Sequence, residues 1–250
     1  MQCWIATEVE EGIAVVSMQR PPTNAIDIAL LEQLGRTLNE MEQRAGVAAM
    51  VLTGAGKAFS AGLDLKLVPT YSRVQQNELL RVLNQALYRL YALPIPTVAA
   101  VNGHAIAGGL VLALACDMRV AVDGGALFGL TEVRAGVPFP VAAMAVVKAE
   151  LSAATARELV LGGKNHDPGR ALKLGIVDEL QPAGEVLARG KVLARELAEA
   201  PKQSYGRIKR QLRREALAEI ESAQGANDPL HGNWIGEETA AAAARVLRSG

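Results

Sequence analysis

The stretch that decides the fold is Thr97-Val-Ala-Ala-Val-Asn-Gly-His-Ala-Ile-Ala-Gly-Gly109. Its first five residues are a short apolar run typical of a buried strand, and the glycine pair at its end opens a predicted helix that runs to Ala115. Residues 117–122 are again strand-like, and the same order of strand, glycine-bearing loop and helix occurs earlier, within residues 47–91. Because strands and helices alternate, the sequence predicts an α/β fold with crossovers between parallel strands.

The other predicted elements lie toward the two ends of the chain. The N-terminal part has two strands around a glycine turn and then a helix with an apolar stripe, at residues 3–9, 13–18 and 26–41. The C-terminal part has three helical stretches, at residues 184–199, 202–223 and 235–248. We therefore expect an α/β core over residues 1–183. A helical region over residues 184–250 then folds back on this core or packs on another subunit.

The bulk composition is that of a globular protein with no special affinity for polyanions. The 250 residues are 50% hydrophobic, and 26 basic residues balance 26 acidic ones. A zero net charge gives no sequence-wide attraction to nucleic acid or to anionic membranes, and no stretch reaches the roughly 18 apolar residues of a membrane span. The two cysteines, and an N-terminus without the pattern of a signal or transit peptide, predict a soluble, cytoplasmic protein.

The glycine-rich loop at residues 53–65 does not match the phosphate-binding motifs of nucleotide-binding proteins. A P-loop requires a glycine five residues before Gly56 and a Ser or Thr after Lys57, and neither is present. A dinucleotide fingerprint that begins with Gly54 and Gly56 requires a third glycine where Phe59 stands. Both interpretations are therefore rejected.

Two glycines, Gly62 and Gly108, each follow a predicted buried strand. Glycine lets a ligand approach the backbone closely, and the first turn of a helix presents unpaired N–H groups that suit a developing oxyanion. The loss of one such donor typically costs about 3 kcal/mol of transition-state stabilisation. The spacing alone also fits glycines that only make turns or close helix contacts, so it leaves both alternatives open.

Five segments of the chain, some of which overlap the stretches discussed above, follow one another in the same order as in a known family. They are Phe59-Ser-Ala-Gly-Leu-Asp-Leu65, Ala100-Val-Asn-Gly-His-Ala-Ile-Ala-Gly-Gly109, Ala115-Cys-Asp-Met-Arg-Val120, Phe128-Gly-Leu-Thr-Glu-Val-Arg-Ala-Gly-Val-Pro138 and Ala171-Leu-Lys-Leu-Gly-Ile-Val-Asp-Glu179. In these segments, and over essentially its whole length, the chain resembles the crotonase (enoyl-CoA hydratase/isomerase) superfamily. The resemblance implies a crotonase-like spiral of repeated ββα units and a helical C-terminal trimerisation region. It also implies a CoA thioester as substrate, no covalently bound cofactor, and backbone N–H groups of Leu63 and Gly108 that bind the thioester oxygen.

Members of this family differ in the acidic residues near the thioester oxygen. Hydratases carry one glutamate three residues after the second oxyanion glycine, where this chain has Val111, and another at the position of Glu132. Syn addition of water needs one group to activate the water and one to deliver a proton, so Val111 argues against hydration. Moving a double bond needs a single carboxylate, and an apolar Val111 would exclude water and raise the pKa of Glu132. Pro140 stands where dienoyl-CoA isomerases hold a second catalytic aspartate.

The resemblance therefore implies a 3,2-enoyl-CoA isomerase of fatty-acid β-oxidation, with Glu132 as both acid and base. It places the CoA moiety or the acyl chain against Ala25, Ile26, Ala61, Asp64, Leu65, Lys66, Val111 and Phe139. In this family the residue matching Asp64 usually shapes its loop. Lys57 and Lys66 could each meet a CoA phosphate or be an ordinary solvated lysine, and both alternatives stay open. Trp234 is a further candidate for the wall of the acyl pocket.

Several alternatives remain open at this point. The same scaffold suits a hydratase that uses Glu132 alone, a thioester hydrolase or decarboxylase, or a protein that binds CoA esters without catalysis. The histidines show no metal-ligand spacing, so no metal is expected. A basic cluster is interpreted as a solvated helix face and not as a nucleic-acid site, namely Arg207, Lys209, Arg210, Arg213 and Arg214. The acyl chain length, and the choice between a homotrimer and a dimer of trimers, are left open.

Overall fold

The computed structural model describes residues 2–249, so Met1 and Gly250, the outer ends of the two predicted regions, lie outside the described residues. Its strands are β1 (Ile5–Glu10), β2 (Ile13–Met18), β3 (Ala49–Gly54), β4 (Ala58–Ser60), β5 (Thr97–Val101), β6 (His104–Ile106), β7 (Met118–Val122), β8 (Phe128–Gly129) and β9 (Glu179–Gln181). Its α-helices are α1 (Ile28–Gln43), α2 (Arg73–Ala92), α3 (Gly108–Leu114), α4 (Glu132–Ala135), α5 (Val141–Glu150), α6 (Ala153–Gly162), α7 (Pro168–Lys173), α8 (Val186–Ala198), α9 (Lys202–Leu212), α10 (Arg214–Ser222) and α11 (Glu237–Ser249). Short 3-10 helices cover Val68–Thr70 and Gly225–Asn227.

The strands form two sheets, and from β3 onward successive strands alternate between them. The larger sheet has the strand order β1-β2-β3-β5-β7-β9, in which β1 and β2 pair antiparallel and every later pair is parallel. The smaller sheet has the order β4-β6-β8 and is parallel. Each turn of the chain places a strand in the larger sheet, a strand in the smaller sheet and then a helix, as in β3–β4–α2 and β5–β6–α3. The predicted spiral of ββα units is therefore confirmed, while trimerisation stays a prediction.

The central strands of the larger sheet are fully buried, which explains why they are apolar. Every residue of β3 and β5 is buried, as is usual for parallel strands beneath helices. Helix α8 lies against these strands, and a Cβ at Gly190 would lie 3.2 Å from the Cβ of Ala100 in β5. The first C-terminal helix thus folds back on the core, which is one of the two predicted arrangements. Among residues 2–249, no helix has both the length and the apolar composition that a bilayer crossing requires.

Some elements differ from the sequence prediction for physical reasons. Strands β4 and β6 lie in segments that were expected to be loops, and β8 was not predicted, because strands of two or three residues are too short to show an alternating pattern. Helix α5 was not predicted, because its first seven residues are all apolar and no amphipathic stripe marks it. The single helix predicted over residues 202–223 is two helices, α9 and α10, because the backbone leaves the helical region at Arg213, with φ of −94° and ψ of 7°.

A buried group of charged residues joins the C-terminal helices to the core. One carboxylate oxygen of Asp117 lies 2.8 Å from Lys209 Nζ and 3.0 Å from Arg213 Nη1. The Arg213 guanidinium also lies 3.4 Å from Glu150 Oε1 and 3.9 Å from the centre of the Tyr91 ring. The interpretation of the basic cluster as a solvated face is therefore wrong for Lys209 and Arg213, whose acidic partner lies about 90 residues away in sequence and is hidden from any local pattern. The other members of the cluster are exposed, as expected: Arg207, Arg210 and Arg214.

Replacing Asp117 by alanine is expected to destabilise the fold by about 3–5 kcal/mol, because two buried cations lose their shared carboxylate. Urea unfolding followed by circular dichroism measures this change in the free energy of unfolding. The matched control is Glu219→Ala, which removes a half-exposed ion pair with Lys148 and should cost less than about 1 kcal/mol. Equal losses for the two variants would contradict the assignment of Asp117 as the anchor of α9 and α10.

Candidate active site

The loop after β4 and the loop after β6 meet at Gly62. This residue has a φ of +79°, in the left-handed region that glycine adopts without strain. A Cβ at Gly62 would lie 2.8 Å from the Cβ of Ala107, 2.9 Å from the carbonyl oxygen of Ile106 and 3.1 Å from the backbone nitrogen of Gly108. The two loops are therefore in direct contact, and only glycine fits between them.

A short parallel pairing orients the backbone around Leu63. The N–H of Ile26 donates to the carbonyl of Gly62 at 2.7 Å, and the N–H of Asp64 donates to the carbonyl of Ile26 at 2.9 Å. Because successive N–H groups of an extended chain point to opposite sides, the N–H of Leu63 points away from this pairing. Gly108 is the first residue of α3, where an N–H has no acceptor within its own helix. Across residues 2–249, neither the Leu63 nor the Gly108 N–H has a protein acceptor.

The backbone immediately before Gly108 is held in a strained conformation. Ala107 has φ of +51° and ψ of −130°, a conformation that costs a non-glycine residue on the order of 1–3 kcal/mol. Its N–H donates to the carbonyl of Gly129 at 2.7 Å, and its own carbonyl accepts from the N–H groups of Leu110 and Val111. These three hydrogen bonds fix both sides of the residue, so the peptide that carries the Gly108 N–H has a defined orientation.

Glu132 begins α4 and presents a buried carboxyl group. The residue is 8% exposed, and its Oε2 atom has no hydrogen-bond partner within the described part of the chain. Burial in apolar surroundings disfavours the charged form and raises the pKa of Glu132 to about 8. A carboxyl group with this pKa is partly ionised near neutral pH, so it is suited both to accept and to donate a proton.

A largely apolar cavity of about 130 Å³ lies between these groups. Its lining brings the backbone of Leu63 and Gly108 together with Glu132, and helices α1, α2 and α5 contribute apolar side chains. Trp234 forms part of the wall, where its indole N–H donates to the carbonyl of Pro138 at 2.8 Å. Among the described residues that line the cavity, Glu132 is the only one with a titratable side chain. The cavity thus combines one carboxyl group with two backbone donors.

The residues predicted from the sequence divide into two groups. Those that line the cavity are Ile26, Ala61, Leu63, Leu65, Gly108, Val111, Glu132, Phe139 and Trp234. Those outside its lining are Ala25, Asp64 and Lys66. Both Lys57 and Lys66 are exposed. The contacts of all these residues with a CoA ester stay predictions.

Arg20 lies outside the cavity lining but contacts the loop that carries Leu63, and it was missed in the sequence analysis. Its guanidinium lies 2.8 Å from Asp64 Oδ2 and 3.2 Å from Asp27 Oδ2. The other oxygen of Asp64 accepts hydrogen bonds from the N–H groups of Lys66 and Leu67, so this carboxylate shapes its own loop. Arg20 and Asp64 are 44 residues apart, and no local spacing in the sequence links them.

The three histidines lie apart and make local contacts. The Nδ1 atom of His104 accepts the N–H of Leu127 at 3.1 Å, and the Nε2 atom of His166 lies 3.7 Å from Glu158. His231 is exposed. Within residues 2–249, no three side chains of His, Cys, Asp or Glu converge in a way that would hold a metal ion.

Comparison with known proteins shows the family to which the chain belongs. The family model for enoyl-CoA hydratase/isomerase matches residues 8–241. A putative enoyl-CoA hydratase of Thermus thermophilus is 39% identical over 196 residues, which are 76% of this chain and 77% of that protein. An enoyl-CoA isomerase structure from Mycobacterium tuberculosis has 30% identity and a TM-score of 0.81, covering 88% of this chain and 95% of the other. The crystal structure of human mitochondrial delta3-delta2-enoyl-CoA isomerase has 25% identity and a TM-score of 0.90, covering 99% and 98%. The chain therefore belongs to the enoyl-CoA hydratase/isomerase family.

Proposed function

We propose that this protein is a 3,2-enoyl-CoA isomerase, which converts a 3-enoyl-CoA to the conjugated 2-enoyl-CoA. The carboxylate of Glu132 removes a proton from C2, and the electron pair of that C–H bond moves into the thioester to form an enolate. The N–H groups of Leu63 and Gly108 bind the enolate oxygen. The carboxylic acid of Glu132 then delivers the proton to C4, and the double bond comes to lie between C2 and C3. Substrate and product have the same composition, so no co-reactant is needed.

The observation that carries this proposal is the single carboxyl group in a largely apolar cavity. A proton shuttle from C2 to C4 requires one group that changes between base and acid, and a pKa of about 8 suits both states. Two preorganised N–H groups are expected to stabilise the enolate in this largely apolar site, because hydrogen bonds to a developing charge are strongest in apolar surroundings. Val111 lines the same cavity at the position where a hydratase would need its second glutamate.

Hydration of a 2-enoyl-CoA is the second candidate, because the similar protein from Thermus thermophilus is named a putative enoyl-CoA hydratase. In this chain Glu132 would have to activate the water and also supply the C2 proton. The buried side chains of Val111, Leu112 and Val137 line the same cavity, and such apolar groups offer a water molecule few hydrogen-bond partners. The geometry therefore favours isomerisation.

The deciding experiment assays the purified protein on a 3-enoyl-CoA and on the matching 2-enoyl-CoA. The ultraviolet absorbance of the conjugated thioester reports both reactions, since isomerisation creates this chromophore and hydration removes it. We expect the absorbance to rise with the 3-enoyl substrate and to stay constant with the 2-enoyl substrate. Loss of absorbance from the 2-enoyl substrate, together with a 3-hydroxyacyl-CoA product, would reverse the assignment in favour of hydration.

The pH dependence of isomerisation follows from the state of Glu132. Proton removal needs the carboxylate, and the carboxyl group is mostly protonated below its pKa of about 8. We therefore expect kcat/KM to rise about tenfold per pH unit on the acid side and to level off above about pH 8. Initial rates at saturating and limiting substrate between about pH 5.5 and 9 test this expectation. A profile that is flat above about pH 5 would mean that the reacting base is not this buried carboxyl group.

A further inference from the structure

Arg20 lies just beyond the end of β2 and reaches three groups around the candidate oxyanion site. Its Nη2 atom pairs with Asp64 Oδ2 at 2.8 Å, its Nε atom pairs with Asp27 Oδ2 at 3.2 Å, and its Nη1 donates to the carbonyl of Ala25 at 3.1 Å. The side chain is only 16% exposed, and the ring of Trp4 covers it with a centroid distance of 5.8 Å. A guanidinium held on this many sides has little freedom to move.

These contacts span the parallel pairing that orients Leu63. Ala25 stands beside Ile26 on one side of the pairing, and Asp64 directly follows Leu63 on the other side. The second oxygen of Asp64 accepts the N–H groups of Lys66 and Leu67 at 3.1 and 3.2 Å, which closes the turn after Leu63. Arg20 therefore holds both paired segments in place. Because Asp64 directly follows Leu63, this restraint extends to the peptide that carries the Leu63 N–H.

We propose that Arg20 is a positioning residue for the reaction, which acts through Asp64 to hold the Leu63 N–H in the direction that binds the thioester oxygen. This inference rests on the proposed function of Leu63 and Gly108 as oxyanion donors. Loss of one oxyanion donor lowers kcat by about 100-fold to 1000-fold, and a misplacement of about 1 Å costs on the order of 100-fold. A loop that is loosened but still intact should lower kcat by less than these amounts.

The ion pair with Asp27 supplies a matched control. Asp27 is the N-cap of α1, where its Oδ1 accepts the N–H of Leu30 at 2.8 Å. Asp27→Asn removes the charge that faces Arg20 and keeps an equally good N-cap residue. Asp64→Asn likewise keeps an oxygen for the turn and removes the charge that faces Arg20. The two variants thus break one ion pair each with the same guanidinium. After Asp27→Asn, the hydrogen bond from Arg20 to the carbonyl of Ala25 still holds the segment of Ile26, whereas Asp64→Asn breaks the ion pair that holds the segment of Leu63.

The kinetic test compares Arg20→Gln, Arg20→Lys, Asp64→Asn and Asp27→Asn. We expect kcat to fall roughly 10-fold to 100-fold in Arg20→Gln and in Asp64→Asn. Arg20→Lys should recover part of the loss, since a lysine reaches one of the partners, and Asp27→Asn should stay within about threefold of the wild type. The double variant Arg20→Gln/Asp64→Asn should lose no more kcat than either single variant, because both substitutions remove the same ion pair. Equal kcat losses in Asp27→Asn and Asp64→Asn would overturn the proposal in favour of general stabilisation.

A spectroscopic readout separates this inference from the proposed function itself. In a Glu132→Gln background, which cannot turn the ligand over, a bound 2,4-dienoyl-CoA should absorb at longer wavelength when N–H donors polarise its thioester carbonyl. We expect the shift in Glu132→Gln and a smaller shift when Asp64→Asn is added. A full shift in the Glu132→Gln/Asp64→Asn variant would overturn the positioning role of Arg20 and Asp64 but not the oxyanion site itself. If saturating ligand binds to Glu132→Gln without any shift, both the oxyanion site and the positioning role fail.

Discussion

Replacing Glu132 by glutamine is expected to lower kcat for isomerisation by about 1000-fold or more, with substrate binding retained. The amide has nearly the same shape as the carboxylic acid, so it fits the apolar cavity between α3 and α4, but it cannot take up the C2 proton. Positioned general acid–base groups typically contribute about 100-fold to 10,000-fold, and here one group performs both proton transfers. Turnover of a 3-enoyl-CoA, together with calorimetric titration of a 2-enoyl-CoA, measures the two effects separately. Turnover within tenfold of the wild type would exclude Glu132 as the proton shuttle.

The same variant should be more stable than the wild type at high pH. Folding raises the pKa of Glu132 from an ordinary 4.5 to about 8, so between these values the folded protein holds a proton that the unfolded chain releases. The wild type therefore loses stability as the pH rises from about 4.5 to about 8, by up to a few kcal/mol at about 1.4 kcal/mol per pKa unit. Glutamine carries no such penalty.

Urea unfolding at about pH 5 and about pH 9 tests this linkage. Glu132→Gln should gain stability over the wild type chiefly at the higher pH. The control is Glu8→Gln, in which the same chemical change is made on an exposed strand position and no pH-dependent gain is expected. A gain of the same size in both variants would mean that a general charge effect, and not the burial of Glu132, is responsible.

Elements with a strong local pattern could be predicted from the sequence, and elements whose stability comes from distant contacts could not. The buried strands β3 and β5 and the amphipathic helices α1 and α2 carry unbroken apolar runs or stripes, and they lie within a few residues of their predicted positions. The short strands of the smaller sheet have no such pattern, because two or three residues of β6 or β8 are specified by their neighbours in the sheet. At the break, the buried Arg213 forms ion pairs with Asp117 and Glu150, which lie far away in the sequence.

The candidate site shows the same division. Gly62, Gly108 and Glu132 stand in recognisable segments, so the sequence was enough to predict that they lie near one another, while their joint role in catalysis stays a prediction. What the sequence could not reveal is the support around them, because each supporting contact joins residues that are distant in the chain. Examples are the ion pair between Arg20 and Asp64, and the bond from the indole of Trp234 to the Pro138 carbonyl.

Replacing Gly62 by alanine is expected to lower kcat by roughly 100-fold, because the added methyl group would push the two oxyanion loops apart. The new Cβ would lie 2.8 Å from the Cβ of Ala107 and 3.1 Å from the nitrogen of Gly108, closer than such atoms normally approach. Neither neighbour is the flexible end of a long side chain, and both belong to the loop that carries the second donor. The displacement should therefore reach both N–H groups, and the red shift of a bound dienoyl-CoA in a Glu132→Gln background should shrink with kcat.

The matched control for this variant is Gly56→Ala, because Gly56 has a φ of +81° and no atom within 4 Å of an added Cβ. Both substitutions carry the cost of a left-handed alanine, about 1–2 kcal/mol of stability, and only Gly62→Ala adds a collision. We expect thermal unfolding to show a loss in both variants, and a large loss of kcat in Gly62→Ala alone. If kcat falls equally in both, backbone strain and not the spacing of the two loops limits the reaction. If kcat falls in neither, the contact between the two loops does not position the oxyanion donors.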